Sequence, residues 1–228
     1  MRIAVVIPTL DEEARLPARL DELALMPEVA EIVVVDGGSQ DQTVTAASAR
    51  PGVRVISTRR GRAAQMNCGA ATTTSEVLLF LHADVALPAY APAWIARALE
   101  DPSVVAGAFR TWTVDDGPGS RIGPLLHLAD LRSRYSRLPY GDQALFVRAE
   151  VFRRLGGFAD LALMEDLDLA RRLSKVGRIR VVPARVRVSG RRFVAHPFTQ
   201  TVLVNLFPLA FRMGVPSRWL AALYGSPR

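Results

Sequence analysis

Short runs of apolar, mostly β-branched residues recur along the first hundred positions, and each stops at turn-forming or polar residues. Strands are predicted over residues 2–8, 31–36, 53–56 and 77–81. The segments between them have the apolar spacing of helices, over residues 11–25, 41–49 and 62–71. Apolar strands of this kind are typical of a parallel sheet that is covered on both faces. The alternation therefore predicts an α/β fold with a doubly wound sheet.

The second half of the chain is less regular, but it continues without a linker, repeat or low-complexity segment. Helices are expected over residues 121–137 and 164–176. Strands are expected over residues 104–114, 143–147, 179–182 and 185–188. The segment from 199 to 224 is apolar, but its uninterrupted runs are far below the ~20 residues of a membrane span. We therefore expect one domain over residues 1–228 and no transmembrane helix, with an interfacial helix still possible.

The formal charge of +7 is unevenly distributed. Residues 1–100 hold 9 basic and 12 acidic side chains, whereas residues 101–228 hold 20 basic and 10 acidic ones. Beyond Asp168 there are eleven arginines and Lys175 but no acidic residue. Nucleic acid is disfavoured as a partner, because no aromatic residues alternate with these arginines and no reading motif is present. Phosphate on a small ligand, an anionic membrane surface and a generally arginine-rich proteome remain as explanations.

The number of cysteines and the N-terminal residues indicate the cellular compartment of the protein. The single cysteine excludes an intrachain disulfide framework and any multi-cysteine metal cluster. The opening residues MRIAVVIP are interrupted too early for a signal peptide. We therefore expect a cytoplasmic location, with peripheral attachment to the inner face of the membrane left open.

Polar clusters follow three of the predicted strands, where ligands bind in open α/β sheets. They are the segments PTLDE (8–12), DGGS (36–39) and HAD (82–84). Neither a dinucleotide-binding glycine motif nor a phosphate-binding Walker loop is present. A bound nucleotide would therefore need a metal or arginine for its diphosphate, and Asp84 offers a hard oxygen ligand. The competing interpretation is that all three clusters are ordinary turn and helix-cap residues.

The helix predicted at 164–176 carries a candidate general base. At about 100° per residue, Asp166 projects into the middle of the apolar face, whereas Glu165 and Asp168 project onto the polar face. Asp168 can pair there with Arg172. A carboxylate in a partly desolvated pocket is a suitable base for proton transfer. The alternative is that Asp166 only caps its own helix.

The succession IPTLDEE, VVVDGGSQD, FLHAD, LGGF and MED resembles family 2 glycosyltransferases with the GT-A fold over residues 2–192. This resemblance implies a mostly parallel central sheet with helices on both faces. It also implies that Pro8, Glu12 and Asp36 bind the nucleoside of a nucleotide-sugar. The sequence departs from the family pattern at Leu10, which replaces an aromatic residue, and at Asp11, which replaces asparagine.

The same resemblance implies the roles of the later motifs. FLHAD stands in place of the family's Asp-x-Asp motif, so Asp84 would hold Mn²⁺ or Mg²⁺ on the diphosphate. His82 stands where the first aspartate normally lies, so it would contact the ribose or phosphate of the donor or add a ligand to the metal; the alternative is a strand-end histidine with no direct role. Ala83, between His82 and Asp84, would also lie at the donor. In MED, Asp166 would deprotonate the acceptor hydroxyl, with Glu165 near substrate hydroxyls. Arg191 and Arg192 resemble the segment that closes over the diphosphate.

Two further strings, GRAAQMNCGA (61–70) and YGDQALFVR (140–148), resemble a small subgroup described as arsenosugar-biosynthesis glycosyltransferases. By this resemblance Arg62 would contact the donor, and Asp142 and Gln143 would contact hydroxyl groups of the donor or the acceptor. We expect a nucleotide-binding half over about residues 1–100, an acceptor half over about 101–195 and a basic apolar tail over about 196–228.

The predicted activity is metal-assisted, inverting transfer of a sugar, preferably from a UDP-sugar, to a small-molecule or lipid acceptor. A nucleotide-binding or membrane-associated module without catalysis is a second interpretation. A nucleotidyltransferase is a third, which the first turn disfavours because it lacks glycines.

Overall fold

A computed structural model of the chain describes residues 1–114, 130, 138–190 and 197–224; within the last range it describes the side chains of 203 and 206–223. The strands are β1 (Ile3–Thr9), β2 (Val29–Asp36), β3 (Val53–Ser57), β4 (Val77–Phe80), β5 (Val85–Ala86), β6 (Val104–Val114), β7 (Phe146–Arg148) and β8 (Arg178–Ser189). They form a sheet in the order β3-β2-β1-β4-β7-β6-β8-β5. Four of its seven pairings are parallel, and the exceptions are β4–β7, β7–β6 and β8–β5. The predicted α/β sheet is thus confirmed.

Helices cover both faces of this sheet. The described helices are α1 (Leu16–Ala24), α2 (Thr43–Ser48), α3 (Arg62–Ala71), α4 (Ala91–Leu99), α5 (Ala149–Arg154), α6 (Glu165–Ser174), α7 (Pro197–Arg212) and α8 (Ser217–Tyr224). Along β1, Ile3, Val5 and Ile7 pack with α1 and α4, whereas Ala4 and Val6 pack with α3, α5 and α6. Because successive strand residues point to opposite faces, two buried faces require a strand that is apolar throughout.

Three predicted boundaries are wrong in the structure. Helix α1 begins at Leu16 rather than at residue 11, because the preceding residues form a turn in which Asp11 has a φ of 53°. Helix α2 begins at Thr43 rather than at residue 41. The strand expected over 143–147 is a 3₁₀ turn at Gly141–Gln143 followed by β7.

The two short strands predicted at 179–182 and 185–188 are a single strand, β8. Its register against β6 shifts between Ala108 and Arg110, so that Ala108 faces Val181 whereas Arg110 faces Arg185. The extra residues on β8 include Pro183, which has no N–H to donate, and a bulge is where a strand tolerates proline. The sequence break therefore marks a bulge rather than a strand end.

The C-terminal segment forms α7 and α8, which pack on the loop before α6 through Leu163 and Met164. In the described part of the chain, no helix is long and apolar enough to cross a membrane. The helix predicted over 121–137 lies outside the described residues, apart from Asp130, which is helical.

Candidate functional site

A cleft opens at the carboxyl ends of β1 and β4. It brings together six of the predicted donor residues: Pro8, Glu12, Arg62, His82, Ala83 and Asp84. Thr9, Leu10 and Gln65 complete its lining. The position agrees with the general placement of ligands beyond the carboxyl ends of parallel strands.

The loops after β1 and β2 are tied together by side chains that bond to each other's backbone. Ser39 Oγ accepts from Asp11 N–H at 2.9 Å, while Asp11 Oδ1 accepts from Gln40 N–H at 2.8 Å. Thr43 Oγ1 accepts from Glu12 N–H at 2.8 Å. These reciprocal bonds fix the backbone beside the cleft and explain why α1 and α2 begin late.

Asp36 is buried and serves the turn that follows its own strand. Its carboxylate accepts from the N–H groups of Gly38, at 2.9 Å, and Ser39, at 3.0 Å, and from Ser39 Oγ. This is the turn role that the sequence left open as an alternative. Asp36 is not among the residues that line the cleft, and its predicted nucleoside contact stays a prediction.

Gln65 is a site residue that sequence reasoning did not single out. It is 3% exposed, and Nε2 donates to the carbonyl oxygens of Thr9 and Val35, each at 2.8 Å. A Cβ added to Gly37 would lie only 3.0 Å from Gln65 Nε2, so the glycine allows this close approach. Gln65 therefore holds the ends of β1 and β2 to α3. Gln65 lies within the string GRAAQMNCGA, which the sequence analysis connected with the donor through Arg62 alone.

Arg62 and Glu165 form a largely buried ion pair at the starts of α3 and α6. Arg62 Nε lies 2.8 Å from Glu165 Oε1, and Glu165 Oε2 is buried without a hydrogen-bond partner. Burial raises the pKa of Glu165, and the neighbouring Asp166 carboxylate raises it further against the lowering effect of Arg62. The expectation that Glu165 lies on the polar face of its helix is wrong, because it is 2% exposed. It orients Arg62 toward the cleft.

Asp166 is half-buried and lies beside the histidine of the HAD segment. Its Oδ2 accepts a hydrogen bond from the Gly141 N–H, and its Oδ1 accepts from Leu167 N–H at 2.7 Å. A Cβ on Gly141 would lie 3.1 Å from His82 Nε2 and 3.2 Å from Asp166 Oδ2. The candidate base and His82 thus converge on one backbone turn.

The side chain of Gln143 holds the turn that carries Gly141 against strand β6. This side chain is 1% exposed, donates to Phe109 O at 2.9 Å and accepts from Tyr140 N–H at 2.9 Å. These contacts assign Gln143 to positioning the turn, and they lend no support to the expectation that it meets substrate hydroxyls. Asp142 is half-buried in the same turn.

A second cleft, with a cavity volume of about 230 Å³, adjoins the first at Asp84. It shares Ala83 and Asp84 with the first and adds Arg15, Arg19 and Arg187. Arg19 pairs with Glu22 at 2.8 Å. Arg191 and Arg192, which the sequence assigned to the diphosphate, lie outside the described residues.

The carboxylates at the cleft suit a hard divalent cation only if substrate phosphates supply further oxygen ligands. Among the described residues, no group of three or more His, Cys, Asp or Glu side chains could hold a metal ion. Asp84 and Glu12 nevertheless line the same cleft. Cations such as Mg²⁺ are commonly bound by one or two carboxylates plus substrate phosphates, so this chemistry fits.

A mostly parallel α/β sheet with a polar cleft at its carboxyl edge is the arrangement of the GT-A fold class. The profile of glycosyl transferase family 2 matches residues 4–156, and the chain belongs to this family. An uncharacterized glycosyltransferase of Mycobacterium bovis is 31% identical over 144 residues. The match covers 62% of this chain and 64% of the length of that relative.

Two solved structures have the same fold. A mannosyltransferase from Pyrobaculum calidifontis, in complex with GDP-Man and Mn²⁺, has a TM-score of 0.68 at 24% identity, covering 97% of this chain and 68% of that one. Glucosyl-3-phosphoglycerate synthase from Mycobacterium tuberculosis, in complex with Mn²⁺, UDP and phosphoglyceric acid, has a TM-score of 0.63 at 22% identity, covering 94% and 79%. The expected GT-A fold is confirmed.

Proposed function

We propose that this chain transfers a sugar from a nucleoside-diphosphate sugar, preferably a UDP-sugar, to an acceptor hydroxyl with inversion at the anomeric carbon. The observation that carries the proposal is the convergence of Asp166 and His82 on the Gly141 turn, next to the Asp84 cleft. Nucleotides and Mn²⁺ bound to proteins of the same fold support the donor class. The arsenosugar-biosynthesis subgroup stays a prediction that rests on its two strings.

The donor would lie in the first cleft, where Glu12 and Arg62 face the HAD segment. Arg62 is held at the cleft by Glu165, so its guanidinium is available for a phosphate oxygen without a search through rotamers. Asp84 would hold Mn²⁺ or Mg²⁺, whose charge stabilises a departing diphosphate when the ion is bound.

Positive charge for the diphosphate is also present in the second cleft. Arg15 and Arg187 line it together with Asp84, whereas Arg62 lines the first cleft. A diphosphate bound at Asp84 would therefore have arginines in both adjoining clefts, and such positive charge stabilises a leaving group. The predicted contribution of Arg191 and Arg192 adds to this charge.

Asp166 would accept the proton of the acceptor hydroxyl as that oxygen attacks the anomeric carbon. The hydrogen bond from the Gly141 N–H fixes one carboxylate oxygen, which orients the group for this step. A single displacement needs one base on the acceptor side and no covalent intermediate, so inversion follows.

The test compares Asp166→Asn with Asp168→Asn, a matched control two residues further along α6. Asp168 pairs with Arg172 at 2.8 Å and is not part of the turn at Gly141. We expect Asp166→Asn to lower transfer or donor hydrolysis by about 10²–10⁴-fold while UDP affinity is preserved. The control should retain activity.

The readout is UDP released from UDP-sugars in the presence of Mn²⁺, alongside calorimetric UDP binding. Near-normal turnover by Asp166→Asn would refute the base assignment. A wild-type chain that binds UDP but releases none from any nucleotide-sugar tested would favour the non-catalytic module.

A further inference from the structure

The C-terminal helices carry a concentration of exposed apolar side chains. Among the described residues, five large hydrophobic side chains of the last two helices and their connection are 52–72% exposed. We call these five residues the tail patch: Leu206, Leu209, Met213, Trp219 and Leu223. Exposed apolar side chains that are concentrated in one part of a protein indicate an interaction surface.

The tail patch lies on one side of each helix. At about 100° per residue, Leu206, Leu209 and Met213 fall within roughly 60° of each other, and Trp219 and Leu223 within roughly 40°. Phe207 and Leu220, which are buried against Leu163, project about 130° and about 80° away from the patch on their own helices. The helices therefore have a second apolar side that packing within the described chain does not use.

The charges around the tail patch favour a partner surface that is negatively charged. Arg212 and Arg218 are exposed on the same two helices, and no acidic residue follows Asp168 in the sequence. A second copy of the chain would bring arginines against arginines with no carboxylate from either segment to pair with them. An anionic surface meets both the apolar and the cationic part of the patch.

We propose that the tail patch docks on the surface of an anionic lipid bilayer. The apolar side chains enter the boundary between headgroups and acyl chains, and Arg212 and Arg218 contact lipid phosphates. The described helices lie on the membrane rather than cross it, since none is long and apolar enough to span it.

The docked helices are joined to the candidate base. Leu163 and Met164, which pack on α7 and α8, directly precede Glu165 and Asp166 in the chain. Arg171 of α6 also stacks over the Phe211 ring at 5.5 Å. This connection favours an acceptor carried at the lipid surface, a point that rests on the proposed function, whereas membrane docking itself does not.

The experiment is flotation of the full chain with phosphatidylcholine vesicles, with and without phosphatidylglycerol, at low and high salt and without nucleotide. We expect binding only with phosphatidylglycerol and weaker binding at high salt. The double variant Leu209→Ser/Trp219→Ser should need at least about tenfold more lipid for half-maximal binding. Arg212→Gln/Arg218→Gln should need about tenfold more.

The matched control is Leu25→Ser/Tyr90→Ser, which removes two apolar side chains that are 83% and 77% exposed elsewhere on the protein. It should bind vesicles like the wild type. Unchanged thermal unfolding of each variant excludes loss of the fold as a cause. Absence of flotation, equal binding by patch and control variants, or a wild-type dimer that Leu209→Ser/Trp219→Ser dissociates without any lipid binding would overturn the proposal. Because no sugar transfer is measured, failure here is distinguishable from failure of the proposed function.

Discussion

The ion pair between Arg62 and Glu165 predicts that substituting one partner lowers the stability of the fold more than substituting the other. Arg62→Ala leaves a carboxylate that is 2% exposed without its counter-charge, whereas Glu165→Gln leaves a guanidinium whose side chain is 24% exposed. The arginine can turn toward water, but the glutamate cannot. We therefore expect Arg62→Ala to be the more destabilising substitution.

The magnitudes follow from burial. Removing one partner of a buried pair costs about 3–5 kcal/mol, and the lower end applies because Glu165 can take up a proton instead of remaining charged. Glu165→Gln keeps the side-chain shape and removes a buried charge, so about 1 kcal/mol or less is expected. The double variant should recover part of the loss seen in Arg62→Ala.

The dependence on pH has a definite sign. Burial raises the pKa of Glu165 above its ordinary value of 4.5, and loss of Arg62 removes an interaction that lowers this pKa. A carboxyl group whose pKa is raised on folding favours the folded state at low pH and opposes it as pH rises above the unfolded value. The deficit of Arg62→Ala relative to the wild type should therefore grow from acidic toward neutral pH.

The assay is urea unfolding of the single and double variants at acidic and neutral pH. Arg59→Ala is the matched control, because Arg59 pairs with Asp160 at the same 2.8 Å, but with side chains that are 65% and 73% exposed. Its loss should change the free energy of unfolding by less than about 1 kcal/mol. Equal destabilisation by Arg62→Ala and Glu165→Gln, independent of pH, would refute the reasoning.

Three further substitutions test the cleft. Gln65→Met removes two buried hydrogen bonds, so we expect a loss of about 1–3 kcal/mol in urea unfolding together with weaker UDP binding. Asp84→Ala should abolish the Mn²⁺-dependent part of UDP binding in calorimetry; equal affinity with and without Mn²⁺ in the wild type would contradict the metal role. Gly141→Ala puts a Cβ 3.1 Å from His82 Nε2 and 3.2 Å from Asp166 Oδ2, and should lower turnover more than UDP affinity.

The strands and the cleft were accessible from sequence because both depend on local pattern. An apolar run with polar residues at its end defines a strand and its ligand-facing edge without knowledge of the neighbours. Pro8, His82 and Asp84 could therefore be assigned to one cleft before the topology was known. The start of α1 could not be predicted, because Asp11 bonds to the loop after β2 and this contact depends on the folded sheet.

The faces of α6 show a second limit of local pattern. Helical projection placed Asp166 inside the apolar arc and Glu165 outside it, yet Glu165 is the more buried of the two. The projection contains no information about Arg62, which compensates the buried charge from a distant point in the chain. Gln65 was missed for the same reason, because a polar side chain on an amphipathic helix reveals its role only when its two carbonyl partners are known.

The direction of these two carboxylates depends on Met164, which ends the loop before α6. Its φ of 70° is unusual for a residue with a side chain and carries a cost of about 1–2 kcal/mol. Packing of Leu163 and Met164 against α7 and α8 offsets this cost. The turn lets Glu165 point inward to Arg62, while Asp166 meets the Gly141 N–H. The C-terminal helices thereby support the geometry of the candidate base, which gives their inward face a role separate from the outward tail patch.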